Sequence, residues 1–165
     1  MIRKATMSDL DEIMDVTKNI VKEMNSYNNY QWNNNYPKKE DFISDIAKES
    51  LFILEKNNEL AGFTCINKIQ PLEYNDLNWS LDTEAYVVHR LAVNSKYRKE
   101  GIAYKLLNLA EKLAIADKVK HLRTDTYSLN TKAQSLFEKF GYNFVDEINF
   151  CGNEKSFYCY EKLIF

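Results

Sequence analysis

The chain reads as a single mixed α/β domain over residues 1–165, with element order β-α-α-β-β-β-α-β-α-β-β. Three observations carry that reading. Apolar residues recur at helical spacing in some stretches and in short β-branched or aromatic runs in others. A strand-like run, a helix-period stretch and a second strand-like run follow one another between Ala85 and Tyr127, and such a unit calls for a parallel strand pair. Finally, 165 residues, 45% of them hydrophobic, suit one core, with no internal repeat and no linker-like change of composition.

The elements follow in order. Ile2–Ala5 is a short strand. Ser8-Asp9-Leu10-Asp11 is a capping-box variant, after which Leu10, Ile13, Met14, Val16, Thr17, Ile20, Val21 and Met24 form one helical stripe. Asn25–Tyr36 is a polar, aromatic loop, and Pro37 stands where a second helix would begin, its buried face marked by Phe42, Ile43, Ile46 and Ala47. Leu51–Glu55 and Leu60–Asn67 are strands joined through Lys56-Asn57-Asn58-Glu59, because Asn tolerates the positive φ of a tight hairpin. Ile69–Leu81 is irregular. Ala85–Val93 is the strongest strand, and a long helix follows Gly101. Leu122–Tyr127 is a strand and Thr131–Phe140 a helix, with Gly141 suited to its left-handed C′ position. Tyr142–Phe150 and Ser156–Ile164 are two last strands, joined through Cys151-Gly152-Asn153.

Composition excludes several functions. A formal net charge of −2 without a long run of one sign argues against nucleic acid, whose binding needs an excess of Lys and Arg. No run of 18 apolar residues predicts a membrane span, and the N-terminus lacks a signal-peptide pattern, so a cytoplasmic protein is expected. Cys65, Cys151 and Cys159 have no CxxC spacing, and His89 and His121 are the only histidines, so neither a disulfide scaffold nor a metal site is expected.

The stretch Arg90-Leu91-Ala92-Val93-Asn94-Ser95-Lys96-Tyr97-Arg98-Lys99-Glu100-Gly101-Ile102-Ala103 runs from a strand through a short basic loop into a helix. The first turn of a helix has N–H groups without partners and partial positive charge, which favours an anion there. Gly101 and Ala103 would let a phosphate approach the backbone, with Arg98 and Lys99 beside it. An ordinary strand–loop–helix connection with solvated lysines would read the same way. Gly101, one of four glycines, shifts the balance, since Gly brings no propensity benefit at a helix start.

Arg98-x-x-Gly101-x-Ala103 after Leu91-Ala92-Val93 resembles the acetyl-CoA signature of the GNAT superfamily of N-acetyltransferases. Downstream, Asn130-x-x-Ala133-x-x-Leu136-Phe137-Glu138-Lys139-Phe140-Gly141-Tyr142 is similar to that family's second motif. The resemblance implies a GNAT-like mixed sheet with a splayed parallel strand pair holding acetyl-CoA as cosubstrate. In it, the backbone of Leu91, Ala92 and Val93 would pair with pantetheine. The segment Arg98, Lys99, Gly101, Ile102 and Ala103 would hold the pyrophosphate, with Asn130, Ala133 and Phe137 on the cofactor's other side. It further implies direct acetyl transfer to an amine, most simply a small molecule, with a protein N-terminus or lysine as the neighbouring option. A homodimer is possible, as relatives commonly form one, and Phe144, Phe150 and Phe165 would serve an interface or the core.

Two residues are candidate general bases. His89 precedes Leu91 by two, which strand periodicity places on one face, and imidazole titrates near neutrality. Asp125 lies five residues before Asn130, where N-terminal acetyltransferases of the family often carry a carboxylate. Glu84 is a third option. The alternatives stay open: a packed or surface histidine for the first, a structural partner of Arg123 or of the following loop for the second. Phe137 stands where the family commonly has a Tyr that protonates the departing thiolate. Tyr127, Tyr142 or Tyr158 could replace it, and without any catalysis the chain would be an acyl-CoA sensor. Acceptor-pocket walls are expected from Tyr27, Tyr30, Trp32, Tyr36, Tyr74, Trp79, Phe157 and Tyr158, unless several of these close the core.

Overall fold

The computed structural model describes residues 1–150 and 153–165. Its strands are β1 (Ile2–Lys4), β2 (Leu51–Lys56), β3 (Glu59–Asn67), β4 (Tyr86–Val93), β5 (His121–Tyr127), β6 (Asn143–Ile148) and β7 (Phe157–Leu163). Its helices are α1 (Leu10–Ser26), α2 (Lys39–Ala47), α3 (Ile102–Ala116) and α4 (Thr131–Lys139). Their order along the chain is the one the sequence predicts. The expected turn at Cys151-Gly152 lies outside the described residues.

Two compact units can be distinguished, one of residues 1–66 and 89–106, the other of residues 67–88 and 107–165. Both β4 and α3 contribute to each. In the first unit the strand order is β1-β2-β3-β4, with β1–β2 and β2–β3 antiparallel. The hairpin between β2 and β3 turns on Asn57 and Asn58 at φ 54 and 59, both left-handed as a two-residue type I′ turn requires. A core of Ile13, Val16 and Ile20 from α1, Phe42 from α2, and Leu51, Ile53, Phe63 and Ala92 from the strands packs this unit. Trp32 belongs to that core, 4% exposed and stacked on Phe63.

A second apolar cluster joins Leu54, Ala61, Tyr97, Ile102 and Leu106, with Leu91 and Val93 packed against it. Gly62 lets the backbones meet here. A Cβ on it would lie 2.7 Å from Ile102 Cγ2 and 2.9 Å from the Ala92 carbonyl oxygen. Gly62→Ala is therefore expected to cost about 1–3 kcal/mol through overpacking against a backbone atom, read by thermal denaturation.

In the second unit the order is β4-β5-β7-β6. The pairing of β4 with β5 is parallel over Tyr86↔Leu122, Val87↔Arg123 and Val88↔Thr124, and β5–β7 and β7–β6 are antiparallel. Tyr74, Val87, Tyr127, Ile148, Phe157 and Cys159 form its core. Phe157, expected as a possible pocket wall, is thus a packing residue, while Tyr74 is buried in this core and also lines a cavity in this unit. Gly141 follows α4 at φ 99, as expected of a C′ residue.

Two local expectations are corrected. The capping box is made by Thr6 and Asp9 around a 3-10 turn at Met7–Asp9, where the Asp9 carboxylate accepts from the Thr6 N–H at 2.7 Å. Ser8 bonds the Thr6 hydroxyl instead. The second helix begins two residues after Pro37, where Asp41 accepts from the Lys38 N–H at 2.7 Å and so fixes the start. Among the described residues, no helix is long and apolar enough to cross a membrane.

Candidate active site

The first unit contains the C-terminal half of β4, the loop after it and the start of α3. Asn94 pins the loop to β3: its N–H donates to the Ala61 carbonyl at 2.8 Å and its amide to the Leu60 carbonyl at 2.9 Å. Its side-chain oxygen accepts from the Lys96 N–H at 3.1 Å, opening a 3-10 turn over Ser95–Tyr97. Tyr97 is buried, and its hydroxyl donates to Glu59, which also pairs with Lys96 at 2.6 Å. Those two partners hold the Glu59 carboxyl below its usual range.

The chain then turns left-handed twice, with Lys99 at φ 62 and Gly101 at φ 75, before α3 begins at Ile102. The positive φ supplies a backbone reason for glycine that was not visible in the sequence. No atom lies within 4 Å of the position a Cβ would take at Gly101. The helix N-terminus is therefore approachable beside a basic loop, which fits a phosphate-bearing group such as the pyrophosphate of coenzyme A. Arg98 is ion-paired with Glu23 of α1, so its charge is held rather than loose. Leu91 and Val93 send their side chains to the cluster around Ile102 and Leu106, whereas Ala92 packs in the core with α1 and α2.

His89 is half-buried, and its carbonyl accepts from the Thr64 hydroxyl at 2.9 Å. Arg90, between His89 and Leu91, has φ 47 and interrupts the strand periodicity there. Strand alternation does not carry across a left-handed residue, so a shared face for His89 and Leu91 no longer follows from spacing.

The second unit holds Asp125, on β5. Its partner is not Arg123 but Tyr74, whose hydroxyl donates to the carboxylate. Burial pushes the Asp125 carboxyl up to about 6, against the opposing hydrogen bond from Tyr74. Tyr74 is itself raised well above its usual range by burial and by the neighbouring Asp125 charge. Arg123 donates to Gln70 at 2.5 Å and to the Leu81 carbonyl at 3.1 Å, and it lies 4.4 Å over the Trp79 ring. It also donates to His121 Nδ1 at 3.2 Å, so the His121 proton sits on Nε2 and faces Glu161 at 2.6 Å. Burial lowers the His121 pKa.

A cavity of about 540 Å³, within the usual size for a small-molecule site, is lined by Gln70, Tyr74, Trp79, Glu84 and Arg123 among others. Glu84 at its rim is paired with Lys68 at 3.0 Å.

Asn130 caps α4, its side-chain oxygen accepting from the Ala133 N–H at 3.2 Å. Part of the second motif is thus a helix start. Phe137 is 3% exposed and packs at 5.7 Å from Tyr142 and 5.8 Å from Tyr160. Of the tyrosines considered as replacement acids, Tyr142 is buried with an unpartnered hydroxyl and a pKa raised by burial, while Tyr158 is half-buried against Phe144. Tyr127 is buried beside Phe157.

A family model described as the Acetyltransferase (GNAT) family matches residues 17–142. The chain belongs to that family. It is 35% identical to a provisionally assigned acetyltransferase of Staphylococcus aureus Mu50, over 99% of this chain and 98% of that one, with a TM-score of 0.77. A GNAT-family acetyltransferase of Streptococcus agalactiae 2603 shares the fold at a TM-score of 0.84 and 22% identity, over 99% of this chain and 94% of that one. The uncharacterized N-acetyltransferase YesJ of Bacillus subtilis is 26% identical over 107 residues, which make up 64% of this chain and 59% of YesJ. The chain thus spans about three fifths of that curated relative's length.

Proposed function

We propose that this GNAT chain transfers the acetyl group of acetyl-CoA directly to an amine, most simply that of a small molecule, and that residues 1–165 work as one acetyltransferase domain in the cytoplasm. The observation that carries it is the left-handed Lys99–Gly101 turn, which brings open backbone to the start of α3 directly after β4. Bound there, the cofactor supplies an acetyl thioester. The chain's N–H groups from Arg98 through Ala103, including those of Lys99, Gly101 and Ile102, hold its pyrophosphate, and the backbone of Leu91, Ala92 and Val93 holds its pantetheine. Asn130, Ala133 and Phe137 form the second set of cofactor residues.

Three tasks remain for the protein: removing a proton from the amine, stabilising charge on the carbonyl oxygen, and releasing the thiolate. A β4 backbone N–H near Leu91 performs the second. For the first, Asp125 is the preferred base, since a carboxyl near 6 is ionised at neutral pH yet more basic than an ordinary Asp. His89 is the second candidate. The third task needs no acid, because thiolate leaves tolerably with a parent pKa near 8.5. Phe137→Tyr is accordingly expected to leave the Kd for acetyl-CoA within about threefold, measured by calorimetry. A larger loss would mean that Phe137 is misassigned.

The reading is tested by titrating the protein with acetyl-CoA and following coenzyme A release across a panel of amines. Saturable binding with amine-dependent release supports it. Binding without release from any amine would leave a cofactor sensor, and folded protein that does not bind would overturn it. A protein amine as acceptor is the second reading, favoured if Asp125 rather than His89 proves essential, and N-terminal peptides in the panel distinguish it.

A further inference from the structure

Of the non-glycine residues with positive φ, Asn28, Glu49, Asn57, Asn58, Lys99 and Lys118 lie in turns, and Arg90 lies inside a strand. Arginine has no special tolerance for that conformation, so surrounding contacts must impose it. Those contacts are specific. Asp45 on α2, 5% exposed, takes both sides of the Arg90 guanidinium, with Nε to Oδ2 at 2.7 Å and Nη2 to Oδ1 at 2.6 Å. The third arm, Nη1, donates to the Tyr36 hydroxyl at 3.0 Å. In the same stretch of β4, threonine hydroxyls serve two successive carbonyls: Thr124 donates to Val88 at 3.0 Å and Thr64 to His89 at 2.9 Å. Side-chain hydroxyls from β3 and β5 thus anchor β4 just before the bend at Arg90.

A fork-on-carboxylate pair fixes position and angle together, which a point charge could not do. A buried ion pair is weak evidence of a stabilising role, since well-packed apolar residues often serve as well. Its value lies in the conformation it specifies, and here that conformation belongs to the residue directly before Leu91.

We propose that Asp45, assisted by Tyr36, is a positioning residue. By gripping Arg90 it holds the left-handed bend of β4 and so aims the Arg90–Leu91 peptide N–H at the thioester carbonyl. The assignment rests on the reading of β4 as the cofactor strand. It also explains why Tyr36, at the end of the loop expected to meet the acceptor, is tied to that strand.

Infrared difference spectra of [1-¹³C]acetyl-CoA bound to the intact protein test this, because a polarised carbonyl absorbs at lower frequency than the free cofactor. The wild type should show the lowered band. Asp45→Asn should return it toward the free value, with the Kd for acetyl-CoA kept within about threefold by calorimetry. Should that variant not fold, Asp45→Asn/Arg90→Met leaves no buried charge unpaired and should give the same spectrum. A wild-type-like band in a folded variant would overturn the proposal, as would loss of cofactor binding along with the shift. A wild type that binds without any shift, or does not bind, would instead bring down the cofactor-strand reading, and the proposal with it.

Discussion

Gly101→Asp is expected to weaken acetyl-CoA binding by about 100-fold or more while leaving the protein folded. The substitution is chosen so that the two effects separate. Asp enters the left-handed region more readily than most residues, and a carboxylate at a helix N-terminus favours the helix. Nothing lies within 4 Å of the new Cβ. The fold therefore has little reason to resist the change. A pyrophosphate at the proposed site would resist it: a unit negative charge placed roughly 5 Å from another costs about 3 kcal/mol at an effective dielectric near 20, which is a factor of about 100. Calorimetric titration with acetyl-CoA, alongside thermal melts of both proteins, reads the result. Wild-type affinity in a folded variant would place the phosphates elsewhere.

Asp125→Asn should make the protein more stable at pH 7.5 and at least about 100-fold slower in coenzyme A release, the scale of a lost general base. The carboxyl rises from 3.8 to about 6 on folding, which corresponds to about 3 kcal/mol in favour of its protonated form. The contribution is fully present below about pH 4 and is lost as pH rises through about 6. Wild type has lost it at pH 7.5, and Asn, which cannot ionise, has not. The gain in stability is thus up to about 3 kcal/mol at pH 7.5 and vanishes below pH 4. Carboxyls lowered in the folded state, such as Asp9 and Asp117, give the opposite trend in both proteins. The difference between the two melting curves therefore isolates Asp125. Stabilisation with undiminished turnover would move the base to His89, and His89→Gln would then carry the loss. A difference between the two proteins that stays the same across pH would contradict the raised carboxyl itself.

Both predictions bear on what could be read before the fold was known. The Arg98-x-x-Gly101-x-Ala103 stretch pointed to an anion because the chemistry of a helix start depends only on the residues next to it. The Asn57-Asn58 turn was legible for the same reason, and its φ values of 54 and 59 agree. Spacing failed where one residue left the regular pattern. His89 and Leu91 were placed on one face by a rule that assumes an extended residue between them, and Arg90 is not extended. Burial was the other gap. Trp32 and Tyr74 look alike in sequence as aromatic loop residues, yet one is stacked on Phe63 and the other is fully buried beside Asp125.

By itself the sequence determined the order of strands and helices, the hairpin turn, the family and the approachable start of α3. Each depends on periodicity or on conformational preferences that act within a few residues. Only the tertiary structure decided which side chains meet. Tyr74 lies 51 residues from Asp125, and Arg90 lies 45 from Asp45. No local preference links such pairs. Packing brings them together and removes them from water, and that loss of solvent raises one carboxyl toward neutrality and lets the other grip a strand.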